Sequence, residues 1–404
     1  MFVYWVFLMK ILPTLLAPFA TETFLAEYWT QKALHITGGP AKFRDLFSWQ
    51  DLNDLLNYHQ LAEPDLRFAI DGKSLPDTDD RQTWRDRLNE GATLIVNGLH
   101  HRLPALAALT AHLRQDVGYR AHVNLYCSPA QQQGFDCHYD THDVLILQID
   151  GAKEWFVYGA TVPYPTETMR SSEQLPPEDP PYLHCVLQAG DVLYIPRGHW
   201  HYAVAGVREA SPLENRPSLH LTVGIDCLTG LDWLDWLLHD LQTDPDWRQS
   251  LPAIVDGQTR ALETHLATLQ QKLITALQQP DWQPRYLDDV VHCHQPPLPI
   301  ALPAQMGVDI FPDDFATEFA WSLLHPRQVR CLGPEHYQFQ IGSKQVDLKG
   351  IPAALAENLA DRDRFSLADL ADWAPELDFE ADVVLLLTRL VTEGILQVVQ
   401  GTRP

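Results

Sequence analysis

In "GFDCHYDTHDVLILQIDGAKEWFVYG", residues 134–159, the side chains of His138, Asp140, His142 and Asp143 stand directly ahead of an apolar run that ends in a turn. In an extended chain, residues two apart share a face. His138 and Asp140 therefore project together. They offer two of the three ligands of a two-histidine, one-carboxylate facial set, which leaves three positions of an octahedral Fe(II) open. Alone the pair says little, because 18 histidines yield about one H-x-D by chance. A third ligand must come from a strand folded back alongside. "AGDVLYIPRGHWHYAV", residues 189–204, supplies His199 and His201, between which alternation does not choose. His184 and His220 read as core or rim histidines. After Asp140 the apolar run reaches Asp150-Gly151, a hairpin signal, and the return strand puts Lys153 and Trp155 on one face. A lysine among such neighbours either snorkels from a rim or points inward. Inside, it demands an anionic partner, because a buried unpaired ammonium is costly. A dicarboxylate that chelates iron at one end and meets Lys153 at the other satisfies both demands.

The elements that must hold these residues are legible from periodicity. Residues 10–120 read mostly helical: "ETFLAEYWTQKAL" and "SWQDLNDLLNYHQL" carry apolar residues three and four apart, with Thr23 or Ser48 as caps. From Ala121 the period becomes two. "AHVNLYC", "DVLILQID", "EWFVYG", "CVLQ", "DVLYI" and "SLHLTVGID" are short β-type runs separated by turns, the pattern of a sandwich or barrel. A Pro- and Glu-rich stretch, residues 163–181, reads as a surface loop or lid. Beyond Cys227, "GLDWLDWLLHDLQ" and "LETHLATLQQKLITALQQ" are amphipathic helices. The second has heptad-like spacing, so a homodimer is expected. A Pro-rich connector, "QPPLPIALPAQ", precedes a tail of short strands, two helices and a last strand, which reads as a winged-helix-like module.

Size and composition set the frame. A chain of 404 residues exceeds one simple core, and 46% hydrophobic residues with 12 Trp indicate well-filled ones. The net charge of −24 argues against nucleic-acid binding, since phosphates are repelled, and suits a basic protein or peptide. The tail is acidic from Asp347 onward, which argues against a phosphate-binding face there as well. Cys127, Cys137, Cys185, Cys227, Cys293 and Cys331 are scattered without a C-x-x-C pair, as free thiols in a reducing compartment would be. The apolar start "MFVYWVFLMK" lacks a preceding positive charge and a small-x-small cleavage site, and Lys10 breaks it. It is too short to span a bilayer, Met9 is an alternative start, and a cytoplasmic protein without membrane association is expected.

"NLYCSPAQQQGFDCHYDTHDVLILQIDGAKEWFVY", "GDVLYIPRGHWH" and "SLHLTVGID" resemble, in order and spacing, the JmjC-type cupin oxygenases, and among them the ribosomal oxygenases, which hydroxylate ribosomal proteins. The resemblance is strong over residues 124–226 and looser on either side. It implies an α+β architecture. Residues 1–120 form the N-terminal helical part, 121–228 a double-stranded β-helix (jelly-roll or cupin) core, 229–300 a helical dimerisation region and 301–404 a winged-helix-like domain. It implies Fe(II), 2-oxoglutarate and O2 as cofactors and cosubstrates. Carried over by position, the metal ligands fall on His138, Asp140 and His201, since the third ligand of the family closes a Pro-x-Gly-x-x-His turn. The 2-oxoglutarate anchor falls on Lys153, and Asn124, Tyr126 and Ser218 match polar positions that line the pocket. His199 and Trp200 depart from the apolar residues usual in that turn, so the substrate side is expected to differ. His142 is expected in the pocket wall, with Trp155, Phe156 and Leu145 in the apolar shell. The implied reaction is hydroxylation of an aliphatic carbon in a protein side chain, Arg or His of a ribosomal protein. The alternatives are hydroxylation of a ribosomally made natural-product precursor peptide or a free amino acid, and a non-catalytic cupin scaffold. A demethylase is disfavoured, because no aromatic methyl-ammonium cage is legible.

Overall fold

The computed structural model describes residues 3–6, 10–206, 216–292, 298–322, 325, 327–342 and 344–399; Cys293 and the start of the Pro-rich connector lie outside them. Two units, Phe7–Cys227 and Met1–Val6 with Leu228–Pro404, each surround a hydrophobic core of their own. Strand β1 (Val3–Val6) belongs to the second unit. The first begins with α1 (Ile11–Leu16), α2 (Thr21–Glu27), β2 (Leu34–Ile36), α3 (Trp49–Tyr58), β3 (Leu66–Ile70), β4 (Lys73–Ser74), α4 (Arg81–Asn89), β5 (Thr93–Val96) and α5 (Pro104–Val117). Local chemistry sets the helix ends. Ser48 caps α3 in a reciprocal box with Asp51, while Pro104 opens α5 and Gly118, at φ 78°, closes it. Thr23 is not a cap: it lies inside α2, which begins after Ala20 with no side-chain cap. The expectation of a mostly helical 10–120 also needs correction, since β2 to β5 all come from that segment. "LRFAI" and "TLIV" are too short for stable helices and gain their hydrogen bonds by pairing in the sheet.

The sheet residues follow as β6 (Arg120–Ser128), β7 (Asp143–Asp150), β8 (Ala152–Ala160), β9 (Leu183–Gln188), β10 (Val192–Ile195), β11 (His199–Ala205) and β12 (Ser218–Asp226). Eight strands form the major sheet in the order β2-β10-β7-β12-β6-β5-β3-β4, and β11-β8-β9 form a smaller one. One face of the major sheet packs Leu125, Leu145 and Leu221 against Leu16, Leu52 and Leu109 of the helices. The other turns Val144, Ile146, Leu193 and Ile195 toward Trp155, Val157 and Ala203 of the smaller sheet. This is an α+β cupin fold, with helices on the outside of one sheet and a cavity between the two. Alternation along β7 thus assigns Leu145 to the helical side, away from the shell expected for it. Gly151, at φ 68°, turns β7 into β8 at a point where a Cβ would lie 2.1 Å from the carbonyl oxygen of Pro217.

The second unit contains α6 (Gly230–Leu241), α7 (Pro245–Arg248), α8 (Arg260–Leu277) and α9 (Trp282–His292). It continues with β13 (Glu318–Trp321), β14 (Arg327–Gly333), β15 (His336–Ile341), β16 (Lys344–Lys349), α10 (Ala353–Asp361), β17 (Arg364–Ser366), α11 (Leu367–Trp373), α12 (Leu385–Thr392) and β18 (Leu396–Val398). The strands form two sheets, β1-β14-β15-β16 and β17-β13-β18, around Phe319, Phe339, Leu355, Leu370 and Leu390. Along α6, Leu231, Leu234 and Leu238 share one helical face yet are 61%, 45% and 58% exposed, and α8 buries none of its residues. No helix among the described residues is long and apolar enough to cross a membrane.

Candidate metal centre

The loop between β6 and β7 carries His138 and Asp140, and β11 carries His201. Main-chain hydrogen bonds join them: His138 N–H donates to His201 O (3.1 Å) and His201 N–H to His138 O (2.7 Å), while Gly198 N–H donates to Asp140 O (2.9 Å). His138 is therefore held by an isolated bridge to β11, and Asp140 by the turn that precedes that strand, not by a strand of their own. One ligand atom from each of His138, Asp140 and His201 lies within 4.8 Å of the others. His201 Nε2 is 3.6 Å from Asp140 Oδ2. His199, the rival, is separated from His201 by a register shift in the β11–β8 pairing, and its Nδ1 meets the Tyr182 hydroxyl at 2.7 Å. In a regular strand the two histidines, two residues apart, would share a face; the register shift, which alternation does not reveal, is what separates them.

Two backbone carbonyls orient the imidazoles. Nδ1–H of His138 donates to Asp136 O (2.8 Å) and Nδ1–H of His201 to His199 O (3.0 Å), which fixes the tautomer and leaves both Nε2 lone pairs for a cation. Burial pushes His201 down to about 4, so its imidazole is neutral at physiological pH. Burial raises the Asp140 carboxyl, but the surrounding imidazoles, His138 first, outweigh it and leave the group below its ordinary value. Two imidazole nitrogens and one carboxylate, facing a cavity on their open side, are the donor set that suits an octahedral ion such as Fe(II).

The cavity beside them measures about 230 Å³ and is lined from both sheets, by Tyr126, His220 and Thr222 on one side and Lys153, Trp155 and Ala203 on the other. Lys153 is 4% exposed. Its Nζ donates to Ser128 Oγ at 3.2 Å, and Ser128 Oγ lies 3.0 Å from Thr93 Oγ1. Burial pulls the ammonium down to about 8, and no carboxylate among the described residues pairs with it. Tyr126 lines the cavity and stacks on His220 at 5.1 Å; burial pushes its hydroxyl up to about 12, so it remains a donor.

Asn124 and Ser218 do not line the cavity. Asn124 Oδ1 accepts from Gly98 N–H (3.1 Å), and Ser218 Oγ accepts from Gln148 Nε2 (2.9 Å). His142 packs edge-on to His122 (4.9 Å), and the buried Trp200 Nε1 donates to Thr161 Oγ1 (2.8 Å), so neither borders the cavity. Phe156 points outward between His184 and Tyr202. Sequence reasoning missed Arg67, Thr93, Phe135 and Thr222, and took His220 for a core or rim residue. Alternation from Ser218 along β12 was a signal for His220 and Thr222. None existed for Arg67, whose strand lies in the segment read as helical.

The family model for the JmjC domain matches residues 103–230. The chain is 30% identical to Ribosomal oxygenase 1 of Gallus gallus over 59% of its own length and 41% of that protein. It is 31% identical to Ribosomal oxygenase 2 of Rattus norvegicus over 56% and 49%. A third relative, the bifunctional lysine-specific demethylase and histidyl-hydroxylase NO66 of Drosophila grimshawi, is 28% identical over 53% and 30%. The chain thus spans less than half of each of these relatives. The solved structure of YcfD, a ribosomal oxygenase from Escherichia coli, in complex with cobalt and 2-oxoglutarate shares the fold at a TM-score of 0.58. It is 17% identical, over 95% of this chain and 99% of that one. Over residues 103–230 the chain thus carries a JmjC-type domain, similar to that of these oxygenases, and it shares its fold with the Escherichia coli protein.

Proposed function

We propose that the protein is an Fe(II)- and 2-oxoglutarate-dependent oxygenase that hydroxylates an aliphatic carbon of a protein side chain, with His or Arg of a ribosomal protein as the target. The observation that carries this reading is the convergence of His138, Asp140 and His201 at a cavity that also holds the buried Lys153. In this reading His138, Asp140 and His201 hold the iron. Lys153 pairs with the far carboxylate of 2-oxoglutarate, which supplies the anion its burial demands. Bound iron and cosubstrate supply O2 activation coupled to oxidation of 2-oxoglutarate to succinate and CO2. The chain's own work is to orient and exclude: Trp155, Val144 and Ile146 keep water from the site, and Tyr126 presents a hydroxyl beside Asp140. The test is iron-dependent release of CO2 from 2-oxoglutarate, with a gain of 16 Da on a ribosomal protein. Absence of both at saturating iron and cosubstrate would leave only a cupin scaffold.

The finer assignments belong to the same proposal. The exposed leucine face of α6 and the unburied α8 are offered as a homodimer surface within 229–300. Residues 301–404, with α11, α12 and the terminal β18 beside β13, are offered as a winged-helix-like module. A cytoplasmic enzyme that draws a basic protein to its acidic surface is consistent with the charge of −24.

A further inference from the structure

Two cations border the cavity, and only one has a task. Lys153 sits at the buried end on Ser128. Arg67 is half-buried on β3, in register through Ile95 with Tyr126 and His220, so all face the same side of the major sheet. Its guanidinium lies 5.9 Å from the ring of Phe135, and that ring is 5.9 Å from the imidazole of His138. Its Nε is buried and has no hydrogen-bond partner, and among the described residues the side chain forms no ion pair. Asp140 is the sole carboxylate among the lining residues. In the reading above, the charge of a divalent ion and that of Lys153 balance Asp140 and the 2-oxoglutarate dianion. Arg67 is left uncompensated; it neighbours the Phe135 ring, which in turn neighbours His138, and it is less buried than Lys153.

We propose that Arg67 takes a carboxylate of the substrate, so that the hydroxylated carbon is presented next to an acidic group, and that it keeps guanidinium and ammonium side chains out of the cavity, which narrows the target of the oxygenase reading from His or Arg to His. The inference rests on the proposed oxygenase reading. Two sources share the chemistry, an Asp or Glu side chain and a chain terminus. Arginine suits either, because its planar fork donates to both carboxylate oxygens.

The test is calorimetric titration of the full chain, with Zn(II) in place of iron and with or without saturating 2-oxoglutarate, against four small probes. N-acetylglutamate amide carries a side-chain carboxylate, N-acetylglutamine a terminal one, N-acetylglutamine amide neither, and N-acetylarginine amide a cation. At least one carboxylate probe should bind about tenfold tighter than the neutral amide, as a charge-assisted hydrogen bond requires. The arginine probe should bind weakest. Arg67→Gln should erase the preference while 2-oxoglutarate affinity changes less than about threefold, and Arg67→Glu should reverse it toward the arginine probe. Equal binding of all four probes to the wild type would overturn the proposal. So would loss of 2-oxoglutarate affinity in Arg67→Gln, which would make Arg67 a second anchor for the cosubstrate. Failure of 2-oxoglutarate to bind the wild type counts against the oxygenase reading, and the probe series without cosubstrate still decides the role of Arg67.

Discussion

At the scale of single residues, the site depends on side chains whose partners are incomplete without a ligand. His138→Ala and His201→Ala each remove one donor of three, and either should lower 2-oxoglutarate turnover by at least about a hundredfold. Metal binding should be lost in parallel, as isothermal titration would read. Lys153→Met should raise the KM for 2-oxoglutarate while stabilising the ligand-free protein. The sign follows from the lowered ammonium, near 8 in the folded chain against 10.5 ordinarily. Below pH 8 both states carry the proton, and the folded state bears the full burial cost, roughly 3 kcal/mol. Between pH 8 and 10.5 the folded lysine sheds its proton first and the cost fades. The Tm gain of Lys153→Met should therefore be largest near neutrality and vanish by about pH 10.5. A gain that is flat across this range would mean that the ammonium is solvated.

At the scale of elements, strands were readable where burial on both faces or clean alternation marked them, as in β6, β7 and β12. Helix starts were readable where a cap was present, as at Ser48. Reading failed where pairing, not local pattern, made the element. β5 exists because β6 offers an edge to bond, and β3 because β5 then does, and no window of their own residues shows that. The site divides in the same way. His138 and Asp140 stood out as a ligand pair ahead of an apolar run and Lys153 as a charge within one, whereas Asn124 and Ser218 face the correct side but are bonded to Gly98 and Gln148. On α6 the exposed Leu231, Leu234 and Leu238 make the dimer proposal testable. Leu231→Glu with Leu238→Glu should yield a monomer by light scattering and leave the Tm within a few degrees, since neither side chain is buried. A large loss of stability would instead mean that the leucines pack within the chain.

For the whole molecule, two separate cores mean that ligand binding and stability need not move together. In the proposed reading iron and 2-oxoglutarate bind only the folded cavity, so at about a hundred times its Kd each should add roughly 2.7 kcal/mol of stability. Hydrogen exchange should locate that gain: amides of β7 and β12 slow on loading, while those of β15 and β16 hardly change. Equal slowing in both units would show that they unfold as one. The charge of −24 acts over a longer range, and at 0.1 M salt it is screened beyond roughly 10 Å. In the proposed reading the acidic surface therefore governs arrival of a basic partner, while Arg67 and Lys153 govern what enters the cavity. On that reading one protein favours a basic partner yet hydroxylates it beside an acid.

The mutual pairing of His138 with His201 through their main chains has a chemical corollary. Because peptide groups, not imidazoles, fasten the loop to β11, trimming either ring to a methyl group leaves an aperture shaped for a five-membered heterocycle. Free imidazole supplied at millimolar concentration should restore part of the lost turnover in His138→Ala, and N-methylated imidazole, unable to donate to the Asp136 carbonyl, should restore less.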